Sequence, residues 1–264
     1  MGEAILQGLK LNPKNGNGDT RWELLASVRS EASAQRAHQE FGITCLSDNL
    51  ELARRSEVIL LCVKPYQAEA ILKAITPTLT DDKLLISICA SITLKQLREW
   101  SGGKIAVIRA MPNTPCLVRA GMTVFCAENS LSPEKNQIAE AVFSTLGKTA
   151  ALMDEALMDG ATGLSGCGPA YAYLIIEALS DAGVKVGLPR ALATELAAQT
   201  LAGSAKMVME RRQHPAALKD EVTTPSGCTI DGLMALEEGG LRVTLIKAVV
   251  AAAERSRELR RTSE

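Results

Sequence analysis

The chain has 264 residues, 47% of them hydrophobic and 22% charged, with a formal net charge of -1. That suits one large globular domain or two modest ones with a real buried core, and the near-neutral balance gives no field to attract nucleic acid or an anionic membrane. Aromatics make up 3%, too few for base-stacking platforms.

Seven cysteines, at 45, 62, 89, 116, 126, 167 and 228, are odd in number and form no C-x-x-C pair. Most sit in apolar runs, where cysteine acts as a small hydrophobe, so a reducing compartment without structural disulfides or zinc is expected. His38 and His214 are too isolated to indicate a metal site. No apolar run approaches the ~18–20 residues that span a bilayer. The N-terminus lacks the basic start and long apolar middle of a signal peptide. The expected location is the cytoplasm, or an organelle if a targeting segment is missing from this chain.

In chain order, Met1 to Leu9 reads as a helix with Ile5 and Leu9 on one face. Asn12 to Asp19 reads as a turn-rich loop, Trp22 to Val28 as a strand, Ala32 to Glu40 as a helix ended by Gly42. A short strand (Gly42 to Leu46) and a short helix (Asn49 to Arg55) follow. Val58 to Val63 is the clearest strand, because six consecutive apolar residues imply burial on both faces. Lys64-Pro65 stops it. Gln67 to Ile75 is helical, Leu84 to Cys89 a buried strand, Leu94 to Trp100 a helix. Ile105 to Arg109 is a strand broken by Met111-Pro112-Asn113-Thr114-Pro115. Met122 to Cys126 is a further strand, and Pro133 to Leu146 a helix ended by Gly147.

Buried strands alternating with helices predict an α/β fold with a parallel sheet covered on both faces. After about Thr149 no strand is evident. Ala170 to Val186 is a long helix with Pro169 in its first turn and Gly187 at its end. Pro189 opens a second helix, and Leu241 starts a last one. The expected domains are therefore residues 1–149, a sheet domain, and 150–264, an all-helical domain whose broad apolar surfaces predict self-association.

Two hydroxyl-rich bends stand out in the helical part: Thr162 to Pro169, and Lys219 to Glu238 with Thr223-Thr224-Pro225-Ser226-Gly227-Cys228-Thr229 at its centre. Gly227 permits a tight turn there, and Thr229 is the expected N-cap of the following helix. Free N–H groups at that helix start suit a carboxylate or phosphate. In the sheet part, ligands are expected beyond the carboxyl ends of the strands. The turns there are Lys64-Pro65, Cys89-Ala90-Ser91 and Asn113-Thr114. After the Trp22–Val28 strand stand Ser27, Arg29 and Ser30 rather than the acid that binds a ribose 2′-hydroxyl. A guanidinium suits a 2′-phosphate, which favours NADPH over NADH.

HPAALKDEVTTPSGCTIDGLMALEEGGLR and ATGLSGCGPAYAYLIIEALSDAGVKVGLP, with VKP, RAMPNTP and MGEAI upstream, resemble the pyrroline-5-carboxylate reductases over nearly the whole chain. These enzymes make proline by reducing a cyclic imine with NAD(P)H. The resemblance implies a Rossmann-like sheet domain followed by an all-α substrate and oligomerisation domain. It implies that the loop from Val222 to Thr229 holds the substrate carboxylate, through amides near Gly227 and Cys228 and the hydroxyls of Thr224 and Thr229. Thr162 would lie between nicotinamide and imine, and Glu155 and Glu221 match ligand-contact positions. Cofactor contacts would fall on Ser27, Asn49, Val63, Lys64, Pro65, Ile88, Cys89 and Ala90.

Two departures matter. Pro225-Ser226-Gly227-Cys228 replaces the usual PGG, so Ser226 must accept a glycine conformation or shift the loop. Relatives also begin with a strand and a G-x-G turn ahead of M-G-E-A-I. The first, central strand is thus expected to be missing, Met1 to fall inside the nucleotide loop, and cofactor binding to be weakened. An alternative implied by this start is a catalytically weak chain that assembles with full-length subunits. A β-hydroxyacid reductase is a further alternative, but Thr162 to Ala172 lacks the lysine such enzymes use.

Overall fold

A computed structural model describes residues 1–11, 22–28, 30–128 and 131–261. The expected loop at Asn12–Asp19 and the cofactor candidate Arg29 lie outside the described residues.

Helix α1 (Gly2–Leu11) buries Ile5 and Leu9, as their spacing predicts. The expected strand at Trp22–Val28 contracts to β1 (Ala26–Ser27), while Trp22 and Leu24 pack against the core. Helix α2 (Glu31–Phe41) starts at Ser30, whose hydroxyl accepts the Ser33 N–H, and ends at Gly42 with φ 64°. Then come β2 (Cys45–Leu46), α3 (Asn49–Arg55), β3 (Val58–Leu61), α4 (Pro65–Ile75), β4 (Leu84–Ser87), α5 (Leu94–Trp100), β5 (Ala106–Pro112), β6 (Gly121–Ala127), α6 (Pro133–Ser144) and β7 (Gly147–Leu152). Asp48 caps α3 through the Leu50 N–H, and Thr93 with Gln96 forms a capping box on α5, so both helices keep their expected bounds. After β7 the chain forms α7 (Met158–Ala161), a π-helical turn at Thr162–Gly166, and then α8 (Gly168–Lys185), α9 (Arg190–Arg211), α10 (Pro215–Glu221), α11 (Cys228–Glu238) and α12 (Leu241–Arg261).

The strands form a five-stranded sheet in the order β3-β4-β5-β6-β7 and a separate pair, β1-β2. Among the described residues no strand joins the two. The sheet is parallel except for β5 and β6, which pair antiparallel with Ile108 opposite Ala127 and Pro112 opposite Thr123. That corrects the all-parallel expectation. The connection from 113 to 120 is too short for a parallel crossover, which needs about a dozen residues or more. It also corrects the break expected at Met111-Pro112, since pairing with β6 carries β5 through Pro112 at the strand's last position, where a proline's missing N–H costs no onward ladder bond. Strand β7 was not expected at all. Its burial is only partial along Gly147–Leu152, so its sequence carries no apolar run.

Two cores flank the sheet. Ile59 and Leu61 face one, with Ala68, Leu72 and Ile75 of α4 and Leu97 of α5. Val58 and Leu60 turn the other way, towards Ile5 and Leu9 of α1 and Val142 and Phe143 of α6. Each fully buried Ile, Leu or Phe contributes roughly 1.5–3 kcal/mol over leaving it in water, which is why the Val58–Leu61 run is apolar at every position.

The chain divides into two compact units: Met1–Gly166 with Ala251–Glu264, and Cys167–Val250. The boundary expected at 149 falls inside β7, and the end of α12 belongs with the sheet unit. In the second unit Gly183 packs so closely on α9 that an added Cβ would come within 2.8 Å of the Ala193 Cβ.

Lys83 is 9% exposed, and its Nζ donates to the carbonyls of Ala53, Arg54 and Ser56 at 2.8, 2.9 and 2.7 Å. It closes the carboxyl end of α3 with a buried cation. Lys83→Met is expected to lower stability by about 2–4 kcal/mol, because it orphans those carbonyls. Urea unfolding checks this, and an unchanged midpoint would show that water replaces the ammonium fully.

Candidate active site

The parallel strands β3 and β4 are in register, Leu61 beside Ser87, so the segments that leave them run side by side. Ile88 N–H donates to Leu61 O at 3.1 Å, and the Cys89 thiol lies 3.3 Å from Val63 O. This brings together Val63, Lys64, Pro65, Ile88, Cys89 and Ala90 at the carboxyl end of the sheet. Lys64 is the N-cap of α4 and Pro65 its first residue, with no side-chain cap on the helix N–H groups. Ser27 ends β1, and the exposed Asn49 is the first residue of α3. Met1 precedes α1, its carbonyl accepting the Ile5 N–H at 3.1 Å. A Cβ on Gly2 would come within 3.2 Å of the Cys62 Cβ, so the start of α1 abuts the end of β3. An uncapped helix start, a close glycine and strand-end turns fit a dinucleotide and its phosphates.

Burial raises the Cys89 thiol above its ordinary pKa, so this cysteine stays a neutral small residue among the turns. Cys126 on β6 is pushed up to about 12, first by burial and then by the nearby Glu155 charge. Neither is a nucleophile at neutral pH.

Strand β5 runs parallel to β4, so its far end lies on the same side of the sheet. There Asn113 accepts the Met122 N–H at 2.9 Å and donates to Ser165 O at 3.2 Å. That side chain pins the π-helical turn Thr162–Gly166 to the strand end. Gly166 packs directly on the end of Met111, where an added Cβ would lie 2.8 Å from the Met111 Cε. Half-buried Thr162 donates its hydroxyl to Met158 O at 2.8 Å, which leaves the oxygen lone pairs as acceptors. Single π turns inside helices recur at functional sites.

Glu155 is tied into the sheet unit by two hydrogen bonds. Its Oε1 accepts from Arg109 Nη1 at 2.7 Å and from the Leu94 N–H at 2.9 Å. The Arg109 side chain is 4% exposed and that of Glu155 23%. The carboxylate therefore neutralises a cation buried in β5 and caps the first turn of α5. Sequence reasoning missed Arg109, although an arginine inside the run IAVIRAM was its visible signal.

The second bend lies in the helical unit. Glu221 ends α10 and pairs with Arg211 at 2.5 Å, and Val222 follows it, exposed. Gly227, not Thr229, is the N-cap of α11, and it has no side chain to cap with. Cys228 and Thr229 are the first two residues of that helix, so their N–H groups have no intrahelical acceptor. The Gly227 N–H is committed to Thr224 O at 3.0 Å. A Cβ at Gly227 would strike the Thr224 Oγ1 at 2.5 Å. The left-handed residue is Ser226, with φ 59°, whereas Gly227 has φ -82°. The serine has accepted the glycine conformation, and the tight turn assigned to Gly227 belongs one residue earlier.

A mostly parallel sheet with nucleotide-type turns and a helical second unit defines a reductase of the two-domain nicotinamide class. The family model for NADP oxidoreductases, coenzyme F420-dependent, matches residues 1–91, and that for pyrroline-5-carboxylate reductase dimerisation matches 155–259. The pyrroline-5-carboxylate reductase of Pisum sativum is 46% identical over 98% of this chain and 92% of its own length. The solved structure of a reductase of that name from Coxiella burnetii is 32% identical, with a TM-score of 0.91 over 98% of this chain and 94% of that one. The Plasmodium falciparum pyrroline carboxylate reductase, solved with NADP bound, is 37% identical with a TM-score of 0.83, covering 98% and 94%. The chain belongs to the pyrroline-5-carboxylate reductase family.

Glu155→Ala is expected to destabilise the sheet unit by about 3–5 kcal/mol, because it leaves the Arg109 charge buried without its partner. Thermal unfolding followed by calorimetry checks this. A raised KM with an unchanged melting temperature would instead make Glu155 a substrate contact. Ser226→Gly is expected to stabilise the helical unit by up to about 1 kcal/mol, by relieving the left-handed serine.

Proposed function

We propose that this chain reduces 1-pyrroline-5-carboxylate to L-proline, the last step of proline biosynthesis, with NADPH as donor and NADH as the alternative. The observation that carries this reading is the meeting of three features at one end of the sheet: the β3 turn, the β4 turn and the Thr162–Gly166 turn pinned by Asn113. The named relatives are reductases along nearly their full length, and nothing in them favours a catalytically weak assembly partner.

When bound, NADPH supplies the hydride that reduces the C=N carbon. The turns at Val63–Pro65 and Ile88–Ala90 hold the nucleotide, with Ser27 and Asn49 at the strand and helix ends beyond. Thr162 spends its hydroxyl proton on Met158 O, so towards a substrate it acts as an acceptor. That suits a protonated imine, whose N–H it orients while the proton stays on nitrogen. No enzymic acid is then required, which agrees with the raised thiols of Cys89 and Cys126. The substrate carboxylate binds at the start of α11, on the N–H groups of Cys228 and Thr229 and the hydroxyls of Thr224 and Thr229. Alignment and charge pairing, rather than covalent chemistry, carry the rate.

The helical unit leaves Leu174, Leu179, Leu192, Leu196, Met207 and Ile246 exposed, more apolar surface than a free domain carries by chance. We read it as the surface on which copies of this chain associate. No helix among the described residues is long and apolar enough to cross a membrane, and we place the enzyme in the cytoplasm or in an organelle.

Loss of NADPH absorbance on adding 1-pyrroline-5-carboxylate tests the activity, and no turnover with either nicotinamide donor would overturn it. Thr229→Ala is expected to raise KM for the imine roughly tenfold or more, by removing a hydrogen bond to a charged group. Stability should barely change, because Gly227 is the cap. Size-exclusion chromatography should give a dimer or larger, and a monomer at micromolar concentration would refute the association.

A further inference from the structure

Asp159 is 1% exposed in the middle of α7. Its Oδ1 accepts from the Ser256 hydroxyl at 2.9 Å, and its Oδ2 lies 3.1 Å from Arg260 Nη2. Ser256 is itself buried, and Ser256 and Arg260 are four apart on α12, hence on one face. The contact joins residues ninety-seven positions apart in sequence. It is also not an optimised ion pair: Asp159 Oδ2 gains no aligned hydrogen bond, and Arg260 Nε is buried without a partner. Apolar packing would stabilise such a joint as well as a buried charge pair or better. What a polar joint adds is a fixed register, because the Ser256 hydroxyl reaches Asp159 Oδ1 in only one arrangement.

The register it fixes is that of α7. Met158, one residue earlier, is buried against Val124 and Cys126 of β6 and supplies the carbonyl that Thr162 bonds. Asp159 stands three residues before Thr162, with helix running unbroken into the π turn. An apolar anchor on one side and a polar anchor on the other thus hold the short helix that ends in Thr162. We propose that Asp159, Ser256 and Arg260 form a positioning latch, by which the last turns of α12 set the Thr162–Gly166 turn for hydride transfer. The inference rests on the reading of Thr162 as a substrate-contacting group.

Three variants of the full-length protein test it: Ser256→Ala, Asp159→Asn and Thr162→Ala. Freeing the latch is expected to lower kcat on the order of tenfold to a hundredfold, the range expected when a reacting group is misplaced by about an ångström. The Kd for NADPH, read by fluorescence, should stay within about twofold, and Ser256→Thr should retain activity. Independently of activity, amide hydrogen exchange should quicken across 158–166 in Ser256→Ala but not in β4. A fall in melting temperature with kcat unchanged, or unaltered exchange across 158–166, would overturn the latch. If Asp159→Asn does not fold, Ser256→Ala, which removes one hydroxyl, decides the matter. Should Thr162→Ala leave kcat intact, the reading of Thr162 fails. Should Thr162→Ala lower kcat while Ser256→Ala and Asp159→Asn do not, only the latch fails.

Discussion

One buried ion pair sets the position of the segment that follows the sheet. Arg109 projects from β5 between Ile108 and Ala110, both buried, where an uncompensated guanidinium costs several kcal/mol. Its partner must come from outside the strand, and Glu155 supplies it while also taking the Leu94 N–H. The segment after β7 is therefore nailed to the middle of the sheet and to the start of α5 at a single carboxylate oxygen. Thr162 stands seven residues on, with Met158 buried against β6 between them. The place of the hydroxyl turn thus follows from charge compensation in the core before any ligand is considered.

Asn113 acts on the same turn from the opposite end. It spends both ends of its amide on backbone, one on β6 and one on Ser165, so the turn cannot slide along the strand. The antiparallel pairing of β5 with β6 makes this geometry available, because it returns Met122 beside the residue that ends β5. A parallel crossover would have carried the chain away over the sheet. The departure from a wholly parallel sheet is thus part of how the site is built.

The sequence was legible where the local rule and the tertiary demand agree. Asp48 and Thr93 are strong caps, and α3 and α5 begin where those residues predict. Val58–Leu61 is apolar throughout because both of its faces meet helices. Legibility failed where burial was partial or partners were distant. β7 alternates small and exposed residues and looks like coil. Arg109 was passed over because its carboxylate partner lies forty-six residues away. At the second bend, Gly and Thr are both acceptable caps. Only the backbone separates them, placing Gly227 at the cap and the left-handed angle on Ser226.

The serine at that left-handed position has a physical consequence for the bend. A glycine there would leave the Pro225–Gly227 turn free to sample many backbone states, and a substrate would have to freeze it. Serine removes part of that freedom before any ligand arrives, at a cost in strain of roughly 1 kcal/mol. Gly227 cannot share the role, because Thr224 Oγ1 occupies the space its side chain would need. The two residues divide the work: one restricts the turn, and the other lets Thr224 close over it. The N–H groups of Cys228 and Thr229 then open from a turn whose shape is already restricted.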